Sequence, residues 1–217
     1  MEVRCFTGGD FVQNGYVVWC EVTGDCVIVD PGAAALDMVA AIKGGAGDIT
    51  AVLLTHAHID HIEGLGVIRD YTGAPTYLHP DDREMFGNLP VQAAMLGISE
   101  WPQLEPPERE LEDGEEFQFG ASSFKVVHTP GHSPGHVILH AEDEGLALVG
   151  DLVFAGSVGR TDLPGGNYQT LFRSIRKHVL TMPDETRLFT GHGPATTVGH
   201  ERTTNPFLTA NYGGELA

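Results

Sequence analysis

One short run of polar residues constrains this chain more than any other feature of its sequence. Directly after the apolar stretch Ala51–Leu54 the sequence reads T-H-A-H-I-D-H, which places three imidazoles and a carboxylate between His56 and His61. The apolar stretch predicts a buried strand, so the run lies where that strand ends. Burying these side chains without partners carries a large desolvation cost, which makes a histidine-rich surface turn the poorer explanation and a metal site the better one.

The spacing within the run has room for two sites. On such a turn His56 and His58 can point one way and Asp60 and His61 another, which is enough for two adjacent cations. Four glycine-containing turns follow other predicted strands and supply more polar groups: P-G-H-S-P-G-H at 130–136, G-D at 150–151, G-R at 159–160 and G-H-G at 191–193. Sites collect at strand ends of α/β proteins. Imidazoles with carboxylates suit Zn²⁺, Fe or Mn²⁺, whereas Ca²⁺ and Mg²⁺ prefer oxygen ligands.

The order of strands and helices predicts an α/β protein. The first thirty residues alternate short β-rich runs with turn signals, typical of an antiparallel meander. Helices are predicted at 33–43, stopped by Gly44-Gly45, and at 62–71, 80–96 and 168–179, with strands between them. We expect residues 1–217 to form one domain whose two halves, roughly 1–100 and 117–210, repeat a similar pattern of strands and helices. The acidic, proline-bearing residues 100–116 should connect the halves across the surface without contributing to the core.

Sheets followed by helices, twice over, favour two β-sheets packed face to face with helices on the outer faces, a four-layer sandwich. The formal net charge of -18 disfavours nucleic acid and anionic membranes as partners, because both would be repelled. We expect a small-molecule partner and a monomer or homodimer. The N-terminus lacks a signal-peptide pattern, which predicts a cytoplasmic protein. The three cysteines show no C-x-x-C spacing and are expected to be buried apolar residues.

Taken in order, T-H-A-H-I-D-H, G-H-S-P-G-H, G-D and G-H-G resemble the metallo-β-lactamase superfamily, over a stretch from Asp30-Pro31-Gly32 to His192. Among its branches the chain most resembles the glyoxalase II-like (hydroxyacylglutathione hydrolase-like) enzymes, in a short form without their helical C-terminal domain. The resemblance implies an αββα sandwich and two divalent metal ions, zinc first, with iron or manganese as alternatives. It implies the following ligands: His56, His58 and His132 for one ion, Asp60, His61 and His192 for the second, and Asp151 bridging both.

Other positions also match this branch. In glyoxalase II the basic residue at the place of Arg160 approaches the carboxylated thiol substrate, so Arg160 is the candidate for binding the substrate's anionic group. The alternative is that Arg160 pairs with Asp162 or Asp151 and braces its turn. The segment E-R-T-T-N-P-F at 201–207 resembles short members of the branch, with Asn205-Pro206 closing the last helix. The remaining histidines are expected to be structural or exposed, with His136 the best candidate for a group behind the ligands: His79, His128, His136, His140, His178 and His200.

The resemblance implies hydrolysis of a thioester such as S-lactoylglutathione by a metal-bridged hydroxide, whose position Asp60 and Asp151 fix. A thiol leaving group has an ordinary pKa of about 8.5 and can depart without a general acid. Persulfide dioxygenases are the main alternative, because they resemble the chain in the H-x-H-x-D-H run and a G-R-T-D segment but use a single iron and oxygen. Lactonase or β-lactamase activity and a non-catalytic metal-binding role are weaker alternatives. RNA-cleaving relatives are disfavoured by the acidic charge.

Overall fold

Two six-stranded sheets form the centre of the structure, a computed structural model that describes residues 1–43, 47–99 and 101–209. The strands are β1 (Glu2–Gly8), β2 (Gln13–Trp19), β3 (Cys26–Val29), β4 (Ile49–Leu53), β5 (Thr76–Leu78), β6 (Arg109–Glu110), β7 (Glu116–Phe119), β8 (Ser122–His128), β9 (Val137–Ala141), β10 (Leu146–Gly150), β11 (Val153–Phe154), β12 (Ser157–Val158), β13 (Arg187–Thr190) and β14 (Thr196–Thr197). The helices are α1 (Ala35–Ile42), α2 (Leu65–Thr72), α3 (Arg83–Gly87), α4 (Leu89–Met95), α5 (Tyr168–Ser174) and α6 (Val198–Thr204). Short 3₁₀ turns lie at Ile59–His61, Pro80–Asp82 and Glu142–Glu144, and a π-helical turn at Ile175–Val179 follows α5.

The strand order brings several parallel strands to a common edge. The first sheet runs β1-β2-β3-β4-β5-β6, and its first three strands form the predicted antiparallel meander. Strands β3 to β6 are parallel to one another. The second sheet runs β14-β13-β10-β9-β8-β7, with β10 and β13 parallel. Loops that leave the carboxyl ends of parallel strands meet at one edge of a sheet, which is where polar sites form in α/β proteins.

Three apolar clusters confirm the predicted four layers. Side chains from both sheets fill the space between them, where Phe119 and Phe124 stack with ring centroids 5.2 Å apart. Helices α1 to α4 cover the outer face of the first sheet through residues such as Met38 and Ile68. Helices α5 and α6 and the π-helical turn cover the second sheet. Each fully buried large side chain contributes about 1.5–3 kcal/mol to folding, so these clusters hold the two sheets in fixed relation.

The acidic segment departs from its predicted character. It was expected to be solvated and to add nothing to the core, and this expectation is wrong for its last part. Arg109–Glu110 pairs with β5 as an edge strand, and Leu111 is fully buried between the two sheets. Trp101 and Leu104 pack against the cluster beneath the outer helices. A few apolar residues within a charged segment are enough to fix it to the sheet; Glu100 lies outside the described residues.

Some element boundaries also differ. The helix predicted over 80–96 is a 3₁₀ turn followed by α3 and α4, which meet at Asn88, because Pro90 lacks the N–H that a continuous helix would use. The predicted stop at Gly44-Gly45 falls outside the described residues. Cys20 and Cys26 are buried as expected, but Cys5 is exposed because it lies on the edge strand β1. In the described ranges the longest α-helices have eight residues, and none is long and apolar enough to cross a bilayer.

Candidate metal centre

Loops from both sheets bring seven predicted ligands together at the carboxyl ends of the parallel strands. The T-H-A-H-I-D-H run follows β4, and the turn at Ile59–His61 reverses the chain within it. His132 lies in the loop between β8 and β9. Asp151 follows β10, and His192 follows β13. Residues separated by more than a hundred positions in sequence therefore face one another.

His56, His58 and His132 form the first set of candidate ligands, named here the three-histidine group. His58 Nδ1 lies 2.8 Å from His132 Nε2, which is 3.2 Å from His56 Nε2. All three side chains are buried. Three ring nitrogens converging at such distances can hold a divalent transition-metal ion.

Asp60, His61 and His192 form the second set, named here the Asp60 group. Asp60 Oδ2 lies 3.2 Å from His192 Nε2 and 3.9 Å from His61 Nε2. The ligand atoms of the group lie within 4.8 Å of one another. The spacing of the run predicted His56 and His58 on one side and Asp60 and His61 on the other; the structure also brings His56 and His61 together, with ring centroids 4.1 Å apart and Asp30 within ligand distance of both.

Asp151 lies between the two groups and approaches both. Its Oδ2 is 3.4 Å from His132 Nε2 and 3.5 Å from His192 Nε2, while its Oδ1 is 3.3 Å from His61 Nε2. His61 Nε2 and Asp151 Oδ1 are buried yet find no hydrogen-bond partner among the residues that the structure describes. Native structures rarely leave such atoms without partners, and a bound cation would satisfy both at once. The residues present thus fit a dinuclear metal site.

Hydrogen bonds behind the ligands orient the imidazoles. Nδ1 of His132 donates to the carbonyl oxygen of Arg160 at 2.8 Å, and Nδ1 of His192 donates to the carbonyl oxygen of Phe11 at 3.0 Å. Nδ1 of His61 lies 2.9 Å from Asp30 Oδ2. Each contact places Nδ1 against an oxygen acceptor and turns Nε2 toward the centre, an arrangement common to metal-binding histidines.

The two groups differ in their electrostatics. Burial, and then the neighbouring imidazoles, lower the pKa of His56 well below its ordinary value, and burial followed by His132 lowers the pKa of His58 to about 3. Burial opposes protonation of His61 too, but the nearby carboxylates, led by Asp151, raise its pKa well above the ordinary value. Burial would raise the pKa of Asp151, yet His61 and His192 hold it well below its ordinary value. The Asp151 carboxylate is therefore ionised where it lies between the two groups.

Glycine is required where these loops approach one another. A Cβ on Gly191 would lie 2.0 Å from Asp151 Oδ1 and 2.8 Å from His61 Cε1. Gly150 has a φ of +47°, and a Cβ there would lie 2.6 Å from Thr55 Oγ1. The glycines of the G-D and G-H-G motifs thus leave the space that the bridging carboxylate and its neighbours occupy.

Arg160 is placed differently from the seven candidate ligands. Its guanidinium forms two hydrogen bonds to the Asp162 carboxylate, at 2.7 and 2.8 Å, and its side chain is 60% exposed. This is the pairing that the alternative interpretation described. The main chain of Arg160 nevertheless contacts the centre, because its carbonyl oxygen accepts the hydrogen bond from His132. A substrate anion would reach the guanidinium from solvent.

His136 lies behind the ligands, where the sequence suggested a supporting group. Its Nε2 accepts a hydrogen bond from the Asp151 main-chain N–H at 3.2 Å, and its Nδ1 lies 2.9 Å from Thr129 Oγ1. His79 and His128 stack with centroids 4.0 Å apart, and Asp81 lies near both. Nε2 of His128 already donates to the Pro134 carbonyl oxygen, so this cluster is explained by internal contacts.

Two buried carboxylates that contact the centre were missed by the sequence reasoning. Asp30 adopts a left-handed φ of 48° and accepts hydrogen bonds from Thr55 as well as contacting His61. Asp82 is fully buried and contacts the loops of His56–His58 and His132. Asp30 follows a predicted buried strand, a position that could have marked it as a site residue. Asp82 gave no comparable signal, since it reads as the start of a helix.

Comparisons with known proteins agree with this geometry. The family model described as "Metallo-beta-lactamase superfamily" matches residues 8–192. The chain is 33% identical over 209 residues to the hydroxyacylglutathione hydrolase GloC of Haemophilus influenzae, covering 96% of this chain and 98% of that protein. It is 37% identical over 208 residues to the probable metallo-hydrolase YqgX of Bacillus subtilis, covering 96% and 98%.

Solved structures show the same fold. The B3 metallo-β-lactamase BLEG-1 superposes with a TM-score of 0.87 at 35% identity, covering 96% of this chain and all of that one. TTHA1623 in a di-iron-bound form gives 0.85 at 39% identity, covering 94% and 100%. ETHE1 from Myxococcus xanthus gives 0.75 at 25% identity, covering 95% and 84%. The matched family model, which extends through His192, and the full-length relatives establish that this chain belongs to the metallo-β-lactamase superfamily of metal-dependent hydrolytic enzymes.

Proposed function

We propose that this protein is a metal-dependent thioesterase of the glyoxalase II type, acting on a small hydroxyacyl thioester similar to S-lactoylglutathione. The observation that carries the proposal is the pair of adjacent ligand groups that share Asp151. The similarity to a hydroxyacylglutathione hydrolase over 96% of the chain supports the substrate class. The net charge of -18 disfavours nucleic acid as a substrate, because phosphates would be repelled.

The three-histidine group would hold one ion, the Asp60 group the second, and Asp151 would contact both. Two divalent ions bound there would lower the pKa of a bound water to about 7 and would polarise the carbonyl group of the substrate. Zinc suits this mixture of imidazole and carboxylate, and iron and manganese suit it as well. The di-iron form of TTHA1623 shows that a similar protein binds iron.

The chain's own residues position the reacting groups. Asp60 and Asp151, which both lie close to His192 Nε2, would orient a nucleophilic water toward the thioester carbonyl. His61 and His192 keep these carboxylates ionised. The departing thiol needs no proton donor, since its ordinary pKa is near 8.5. Because no proton donor is needed, the histidines of the proposed centre can all serve as metal ligands or hold metal ligands in place.

Arg160 is proposed to recognise the carboxylate of the thiol carrier. Its fork of N–H groups already binds the Asp162 carboxylate in two places, and a substrate carboxylate would take the same geometry. The R160A variant should raise KM for S-D-lactoylglutathione about tenfold and leave kcat unchanged, because a lost hydrogen bond to a charged group costs about 1.5–3 kcal/mol before solvent competes for it. Steady-state kinetics measures both constants.

The matched control for this change is R187A. Arg187 is exposed at the start of β13, the end of the strand opposite His192, so the variant changes the net charge equally without touching the proposed anion site. R187A should keep the original KM. An equal rise in KM for both variants would mean that overall charge, and not Arg160, governs substrate binding.

Metal-restored hydrolysis tests the function directly. Metal-stripped protein is assayed for hydrolysis of S-D-lactoylglutathione before and after addition of Zn²⁺, Mn²⁺ or Fe²⁺. We expect no turnover without metal and turnover with at least one ion. Inactivity with every ion, together with oxygen uptake on glutathione persulfide in the iron-loaded protein, would replace the proposal with persulfide oxidation. The 25% identity to ETHE1 and the resemblance of the G-R-T-D segment at 159–162 to persulfide dioxygenases make this the second candidate.

A further inference from the structure

Asp82 is a fully buried carboxylate that has no role in the chemistry described above. It ends the short turn Pro80–Asp82 that follows β5. In the described part of the chain no lysine, arginine or histidine forms an ion pair with it. Burial raises its pKa above the ordinary value, against the effect of its hydrogen bonds. Burying a carboxylate without a paired cation costs free energy, which the hydrogen bonds of Asp82 must offset.

These hydrogen bonds join two separate loops. Asp82 Oδ2 accepts from the Ala57 main-chain N–H at 3.0 Å and from Ser133 Oγ at 2.7 Å. Asp82 Oδ1 accepts from the Gly135 main-chain N–H at 2.5 Å. Ala57 lies between His56 and His58, and Ser133 directly follows His132. Each donor is therefore adjacent to, or within three residues of, a ligand of the three-histidine group.

Close packing accompanies these contacts. A Cβ on Gly135 would lie 2.6 Å from the Asp82 nitrogen and 2.9 Å from its Cβ. Because Gly135, the second glycine of the G-H-S-P-G-H motif, has no side chain, Asp82 fits into the loop. The main-chain N–H of Gly135 then faces the Asp82 carboxylate. An apolar side chain could fill the same space, but it would leave three donors without acceptors.

The Asp60 group is held by different contacts. Asp30 holds His61, and the main chain of Phe11 holds His192. Asp82 contacts the main chain beside the other group. Asp30 contacts both His61 and Thr55, and the Thr55 hydroxyl lies 3.0 Å from His56 Nδ1, so Asp30 lies beside both groups, whereas the hydrogen bonds of Asp82 come from the loops of the three-histidine group.

We propose that Asp82 is a positioning residue that holds the His56–His58 loop and the His132 loop together, and so sets the metal affinity of the three-histidine group without setting that of the Asp60 group. The inference rests on the metal centre of the proposed function. Metal binding can be measured without substrate, so failure to hydrolyse a thioester would not count against it.

The test uses Co²⁺ added to the metal-stripped full chain, with binding followed by the visible absorption of Co²⁺. H192A weakens Co²⁺ binding at the Asp60 group, so this background reports mainly on the three-histidine group. H132A weakens Co²⁺ binding at the three-histidine group, so this background reports mainly on the Asp60 group. D82N keeps the size of the side chain but replaces an acceptor with an N–H₂ that faces other donors. It should weaken Co²⁺ binding about 10- to 100-fold in the H192A background and leave the H132A background unchanged.

D30N is the matched control, because it changes a buried carboxylate that lies beside both groups. It should weaken Co²⁺ binding in both the H132A and the H192A backgrounds, unlike D82N. S133A is a second, milder variant in case D82N folds poorly, since it removes one of the three hydrogen bonds. We expect it to weaken Co²⁺ binding several-fold in the H192A background only. Equal weakening of both sites by D82N and S133A, or of neither, would overturn the inference.

Discussion

Replacing Asp151 with asparagine is expected to remove at least one metal ion per chain and to lower thioester hydrolysis more than about a hundredfold. Losses of 10- to 100-fold are typical when only a group behind a ligand is changed, and Asp151 itself approaches both ligand groups. An amide nitrogen in place of one carboxylate oxygen cannot bind a cation. Elemental analysis of the purified variant, together with steady-state kinetics, measures both effects.

The control for this variant removes another buried negative charge. Glu201 is fully buried and accepts hydrogen bonds from the Gly156 N–H, Thr196 Oγ1 and Asn205 Nδ2. E201Q should lower the melting temperature while keeping the metal content and kcat of the original protein. Two metal ions bound with full affinity in D151N would contradict the assignment of Asp151 as the shared ligand.

A single methyl group at Gly191 should be nearly as damaging. In G191A the added Cβ would lie 2.0 Å from Asp151 Oδ1, a distance that real Cβ atoms do not adopt, so the carboxylate must move away from its position between the two groups. His61 Cε1, 2.8 Å from the same Cβ, would have to move as well. We expect loss of metal and of hydrolysis approaching that of D151N, measured by the same two assays.

Gly193, the second glycine of the G-H-G motif, provides a control for Gly191 within the same motif. Gly193 has open space around its Cβ position but a left-handed φ of +72°. An alanine there costs about 1–2 kcal/mol of backbone strain and displaces no ligand. G193A should therefore reduce the free energy of unfolding by about that amount and keep both metal ions. Loss of metal in G193A and its retention in G191A would show that strain, and not the space beside Asp151, makes the motif sensitive.

Much of the metal centre could be predicted because its chemistry is concentrated in short motifs. The alternation of His56, His58, Asp60 and His61 is local and predicts two ligand sets, while the structure also brings His56 within ligand distance of His61 and Asp30. The pairing of these groups with His132, Asp151 and His192 was implied by the resemblance and not by spacing. Contacts between loops more than seventy residues apart depend on the order of strands in the sheets, which no local pattern contains.

The residues that were missed are those whose role depends on burial. Asp82 reads as a helix start and gives no sign of its burial, whereas Asp30 follows a predicted strand but lies in a turn motif that does not show which donors it will face. Leu111 was overlooked for a similar reason: a single apolar residue among acidic ones gives no periodicity, yet the edge of the first sheet places it between the two sheets. Pairing of Arg160 with Asp162 was foreseen as an alternative, since the two residues are close in sequence.

The sequence by itself determined the metal-binding character of the central run and the layered α/β architecture, since these depend on residue type and on local spacing. Tertiary structure decided which distant loops meet, which carboxylates lie behind which ligands, and where glycine is needed to make room. The physical reason is that ligand identity and strand periodicity are local properties of the chain. Desolvation, hydrogen-bond satisfaction and close approach exist only after the parallel strands have brought their ends together.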